Sequence, residues 1–232
     1  MADIYKIIMK QLATRPRIIG LAVMAVVTIG LALLVGQADG ATDADAVRFI
    51  NTLGLTLLTP VVTLLFASAA LGDLYENGSL VYLWLRPVAR WKIVIAALAA
   101  VITICVPVLA ITFAIAGLLA SSASVALGAA VATVFVVPAY GAIFVALGLF
   151  STRALIWGLG YILLFEGFIA AIGSVPGKLS LVTYSRSLLG KVADVTTEFT
   201  QSSLPISLIV LVGVAAAGTA IGSWRLSNMN IP

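Results

Sequence analysis

The stretch Ile93-Val-Ile-Ala-Ala-Leu-Ala-Ala-Val-Ile-Thr-Ile-Cys-Val-Pro-Val-Leu-Ala-Ile-Thr-Phe-Ala-Ile-Ala-Gly-Leu-Leu-Ala-Ser-Ser-Ala-Ser-Val-Ala-Leu-Gly-Ala-Ala-Val-Ala-Thr-Val-Phe-Val-Val-Pro-Ala-Tyr-Gly-Ala-Ile-Phe-Val-Ala-Leu-Gly-Leu-Phe-Ser-Thr152 contains no charged residue. A helix needs roughly 20 apolar residues to cross the hydrocarbon core of a bilayer. The run is too long for one crossing, and Ser121, Ser122 and Ser124 interrupt it near the middle. It therefore reads as two spans, at about 93–118 and 126–150. An open sheet is excluded, because unpaired backbone groups find no partner inside lipid.

Four more apolar runs extend this pattern to six spans: about 18–35, 49–72, 154–175 and 205–224. Composition agrees. Of the 232 residues, 62% are hydrophobic and 9% charged, against about 25% charged in a soluble domain. The expected architecture is all-α and polytopic, a single transmembrane domain over residues 1–232. The first run resembles a signal peptide with basic flanks Lys10, Arg15 and Arg17, but it is too long, and further spans follow it.

The net charge of +4 does not indicate nucleic acid, since the basic residues lie between apolar runs. With an even number of spans, one side collects Lys6, Lys10, Arg15, Arg17, Arg86, Arg90, Lys92, Arg153 and Arg225. The other side has Arg48, Lys178, Arg186 and Lys191. The positive-inside rule puts both termini in the cytoplasm. The first outer loop, 36–48, is acidic, with Asp39, Asp43 and Asp45. There is no histidine, and the one cysteine, Cys105, lies inside a span. Disulfide frameworks, zinc clusters and histidine-dependent catalysis are thereby excluded, and no metal site is expected.

Ahead of the first span, Ile4, Ile8 and Leu12 fall on one helical stripe with Lys6 and Lys10 off it, and Pro16 ends the pattern. An amphipathic basic helix over Ala2–Ala13 should lie flat in the cytoplasmic headgroups.

The loop between spans two and three reads Asp73-Leu-Tyr-Glu-Asn-Gly-Ser-Leu-Val-Tyr-Leu-Trp-Leu-Arg-Pro-Val-Ala-Arg-Trp-Lys92. Leu80, Leu83 and Trp84 share a helical face, Ser79 can cap that helix, and Pro87 should stop it. Exposed aromatics between Glu76 and Arg86/Arg90 suit a docking surface for another protein. They equally suit an interfacial helix anchored by Tyr82, Trp84 and Trp91.

This loop resembles that of the ABC-exporter permeases of the type-two class. That family shows an acidic residue, then Gly-Thr/Ser-Leu, a further Leu, and Pro-hydrophobic-x-Arg. Here Glu76, Gly78-Ser79-Leu80, Leu83, Pro87-Val88 and Arg90 stand in those places, while Leu74 replaces a second acid common in the family. The resemblance implies a coupling helix that docks an ABC ATP-binding subunit through Glu76, Gly78, Leu80, Leu83, Trp84, Pro87 and Arg90. It also implies a second permease subunit, either another copy or a related chain, and cargo export driven by ATP and Mg on the partner ATPase. Between spans five and six, Lys178–Leu189 is amphipathic and ends at Gly190. In the family this region looks like short helices dipping back from the outer surface.

The chain itself lacks a phosphate-binding loop. Gly173-Ser-Val-Pro-Gly-Lys178 is one residue short of the pattern and is followed by Leu179. A permease subunit rather than an enzyme is therefore expected, in a bacterial cytoplasmic membrane, with a lipid-like, peptide or drug-like cargo. A proton-coupled secondary transporter and a non-transporting scaffold are the rivals.

Glu166 is the one acidic or basic residue inside a span, and a charge there costs at least a few kcal/mol. It reads either as a site for a cationic or hydroxyl-bearing substrate or a proton, or as a hydrogen bond that locks helices. Pro60, Pro107 and Pro138 fall near span middles and are candidate hinges.

Overall fold

The computed structural model describes residues 2–38, 40–76, 90–151, 153–169, 180–195 and 202–228. Among these the chain is helical, with no strand. Five helical stretches are long and apolar enough to cross a membrane: Arg15–Gly36, Asp43–Gly72, Trp91–Ala120, Ala123–Phe150 and Leu204–Asn228.

We name the α-helices α1 (Ala2–Leu12), α2 (Arg15–Gly36), α3 (Asp43–Phe49), α4 (Thr59–Glu76), α5 (Trp91–Ala120), α6 (Ala123–Phe150), α7 (Ala154–Tyr161), α8 (Leu181–Val192) and α9 (Leu204–Asn228). Two π-helical stretches, Ile50–Leu58 and Ile162–Ile169, continue α3 into α4 and extend α7. The predicted break at Ser121–Ser124 is a tight turn between α5 and α6. The predicted second span begins earlier than Phe49, at Asp43. The predicted fifth span, 154–175, is described only as far as Ile169, and its apolar helix Ala154–Glu166 is shorter than the five.

Helix α6 is the centre of the bundle and packs against α4, α5, α8 and α9. Most of its residues are buried, including Val125, Ala132, Val136, Tyr140, Phe144 and Leu149, while Leu127 and Val134 lie on an exposed stripe. Small residues permit the close crossings. A Cβ on Gly117 would lie 2.8 Å from the Ala126 Cα, and one on Gly218 would lie 2.9 Å from the Ala142 carbonyl carbon.

The flanks behave differently. On α2 only Leu21, Thr28 and Ala32 are buried, while Ile19, Val23, Val26 and Leu34 are exposed. On α9 the buried stripe is Ser207, Leu211, Gly218, Gly222 and Leu226, with Ile209, Val212 and Trp224 exposed. Apolar surface this extensive needs a lipid solvent, and the molecule is a multi-pass membrane protein. Hydroxyls within these helices bond back one turn, as Thr28 does to the Met24 carbonyl (2.8 Å) and Thr133 to the Ala129 carbonyl (2.7 Å). This satisfies them without water.

The two ends of the bundle differ in charge. At one, Lys92 lies over the Trp91 ring, Arg225 over the Phe150 ring, and α1 packs on α4 and α5. At the other, Asp43 accepts hydrogen bonds from Ser121 and Ser122 in the turn between α5 and α6. The stripe Ile4, Ile8 and Leu12 is present in α1 and buried. It faces protein rather than headgroups, because α4 and α5 lie beneath it.

The prolines fall in two environments. Pro107 and Pro138 lie inside continuous helices. Pro60 lies in the first turn of α4, just after the π-helical stretch. A proline ring crowds the carbonyl four residues earlier, here that of Thr56. The wider π turn relieves that crowding, and the Thr59 N–H and hydroxyl both reach the Gly54 carbonyl instead.

Candidate functional site

Glu166 is 2% exposed and accepts hydrogen bonds from four donors. Oε1 receives the Tyr161 hydroxyl (3.2 Å) and the Leu181 N–H (3.1 Å). Oε2 receives the Ser180 hydroxyl and the Val182 N–H (3.3 Å). Each oxygen thus accepts two hydrogen bonds.

The local reason lies in α8. A helix begins with N–H groups that have no partner within the helix. Ser180 stands at the N-cap, the place where a serine side chain normally supplies that partner, yet its hydroxyl makes no such bond. It donates to Glu166, and Glu166 takes the first two N–H groups of α8. The helix is thus capped by a side chain from the apolar segment Ala154–Glu166. The positive end of the helix dipole faces the carboxylate.

Around this cap the aromatic rings form a wall. Tyr140 and Phe144 stack at 5.7 Å, Tyr161 meets Phe144 edge-on at 6.2 Å, and Tyr161 stacks on Phe165 at 5.5 Å. The Tyr140 hydroxyl is buried beside Glu166, close enough to feel its charge.

The depth of this cap follows from α6. Tyr140 lies roughly 25 Å from the start of that helix and 15 Å from its end at 1.5 Å per residue. Helix α8 has 12 residues, or roughly 18 Å, and runs beside α6 toward Gly128. A Cβ on Gly128 would meet the Leu189 carbonyl oxygen at 2.7 Å. About one and a half turns into α8, Arg186 donates to the Thr56 hydroxyl at 2.9 Å, and the Glu166 charge reaches it. Both π-helical stretches therefore hold α8, one through Glu166 and the other through Thr56. Such widened turns recur at functional positions.

A second junction lies at the basic end. Arg90 donates to the carbonyls of Leu226 (3.4 Å) and Ser227, the final carbonyls of α9. A cation at a helix C-terminus complements the negative end of its dipole. Of the other residues singled out for docking, Glu76 is the last residue of α4. Gly78, Leu80, Leu83, Trp84 and Pro87 lie outside the described residues, as do the proposed loop helix and residues 170–179.

Sequence reasoning singled out Glu166 but none of its partners. Tyr161, Ser180 and the α8 backbone carry no motif. The one available signal was a serine before an apolar run, which marks a helix start. The expected amphipathic segment Lys178–Leu189 overlaps the helix Leu181–Val192, which is buried over most of its length.

Among the described residues, no group of three or more acidic or cysteine side chains is placed to hold a metal. Comparison with protein-family models gives no match, and comparison with curated proteins gives none either.

Proposed function

We propose that this chain is the membrane-spanning subunit of an ATP-driven exporter of the type-two ABC class. It would cross the bilayer six times with both termini in the cytoplasm. The observation that carries the reading is the run from Glu76 through Gly78-Ser79-Leu80, Leu83 and Pro87 to Arg90, which begins where α4 ends and finishes where α5 begins. A segment in that position is joined directly to two long helices. A load placed on it by a partner ATPase passes to both of them.

The Arg90 contact supports a third path. Its guanidinium joins the end of the loop to the last turn of α9, so movement of the loop draws on the final helix as well. In this reading Arg90 acts within the subunit, while Leu80, Leu83 and Trp84 face the ATPase. ATP binding closes the ATPase pair, the loop shifts, and two permease subunits rearrange around the cargo. The cargo class stays at lipid-like, peptide or drug-like molecules.

A proton-coupled mechanism centred on Glu166 has less support. Its two oxygens accept four hydrogen bonds, three of them from residues at the start of α8. The fold itself thus occupies the positions a cargo would need. The scaffold reading has no feature of its own.

Purification of the chain from its native host should bring an ABC ATPase with it, and Leu83→Asp should remove that ATPase while the chain stays folded. Purification without any ATPase, or undiminished association in Leu83→Asp, would overturn the docking claim.

A further inference from the structure

Helix α2 stands off α4 near the basic end and leaves a cavity of about 390 Å³ between them. Its walls include Gly20 and Met24 on α2 and Val62, Leu65 and Phe66 on α4, and among the described residues its one charged lining residue is Arg17. Arg17 and Gly20–Met24 order the cavity along the helix: cationic at the bundle end, apolar for roughly 10 Å inward. The volume lies within the range of natural ligand pockets, about 300–1,000 Å³.

The surroundings carry the same charge. Lys6, Lys10 and Arg15 are exposed close by. Arg17 donates to the Gln11 carbonyl at 3.2 Å, which ties α1 to this mouth. Asp3 is the one acid between residues 1 and 38, and Asp73 and Glu76 stand in the last turns of α4, so basic residues remain in excess. An occupant that is anionic at the membrane boundary and hydrocarbon within it complements this excess of basic residues.

We propose that this cavity is a binding site for an anionic phospholipid, with one acyl chain between α2 and α4 and the phosphate among Arg15, Arg17 and Lys10. A zwitterionic lipid fits the apolar part equally but gains less from the cations, which attract anionic headgroups near a membrane surface. A soluble phosphate lacks the chain. The site depends only on residence in a membrane and is independent of the exporter reading.

The geometry supplies a clean way to close it. Nothing lies within 4 Å of a Cβ built on Gly20, so Gly20→Leu projects into the cavity without displacing protein and replaces a poor helix former. Leu65→Trp fills the same space from the opposite wall. The full chain, purified in mild detergent, would be titrated with phosphatidylglycerol and phosphatidylcholine of identical chains and read by native mass spectrometry. The expected result is one retained phosphatidylglycerol, favoured over phosphatidylcholine by about fivefold for each cation engaged. Arg15→Gln and Arg17→Gln should each cut that preference by a similar factor, and Gly20→Leu and Leu65→Trp should remove the bound lipid. Glycerol phosphate should not compete. Equal binding of the two lipids, competition by glycerol phosphate, or unchanged lipid in both filled variants would overturn the proposal.

Discussion

Two helix ends in this molecule are held by side chains of opposite sign. Glu166 caps the N-terminus of α8, and Arg90 caps the C-terminus of α9. Both use a charge against the matching end of a helix dipole. They differ in surroundings. Glu166 is buried deep in the bundle, where water cannot replace a lost partner. Arg90 is only half-buried, so water can replace it at modest cost. The same interaction should therefore be structural in one place and adjustable in the other. A buried polar group left without a partner costs far more than a bond exchanged for water.

The largest expected effect follows from removing the deep charge. Glu166→Ala leaves two N–H groups and two hydroxyls without their acceptor and should destabilise the fold by roughly 3 kcal/mol or more. Denaturant titration in micelles measures this directly. Glu166→Gln keeps one acceptor oxygen and should lose about half as much. Equal stability of the alanine variant and the parent would break the comparison, because the buried cap would then be worth no more than an exposed one. Ser180→Ala is the intermediate case. It deletes one donor but leaves both α8 N–H bonds to Glu166, so roughly 1 kcal/mol should be lost.

These two sites also show which parts of the structure a reader of the sequence could reach. The uncharged run 93–152 and its serine break correspond to α5, α6 and the turn between them within a few residues. Lipid leaves the backbone no alternative to helices there. Glu166 stood out for a related reason, since a lone acid in an apolar segment is conspicuous. Its partners did not. Two are backbone N–H groups, which every residue but proline carries, and Ser180 lies 14 positions away. The π-helical stretches were equally hidden. Pro60 hints at one, but Pro107 and Pro138 lie in ordinary helices. The stripe on α1 was legible from its spacing, whereas its cover by α4 and α5 depends on how far those helices extend.

The smallest effect on stability should come from Arg90, and it discriminates most sharply between structure and function. Arg90→Gln removes a charge from the end of α9 where water can take its place. Such contacts contribute about 0.3–1 kcal/mol and weaken with salt. Micelle titrations of the parent and variant should therefore converge at high ionic strength, which the Glu166 variants should not do. Under the exporter proposal, if Arg90 links the loop to α9, the variant should still bind an ATPase while ATP hydrolysis no longer responds to cargo. Loss of ATPase binding in Arg90→Gln would instead place its side chain on the docking surface. A stability loss as large as that of Glu166→Ala would mean that the half-buried end of α9 is as inaccessible to water as the deep cap.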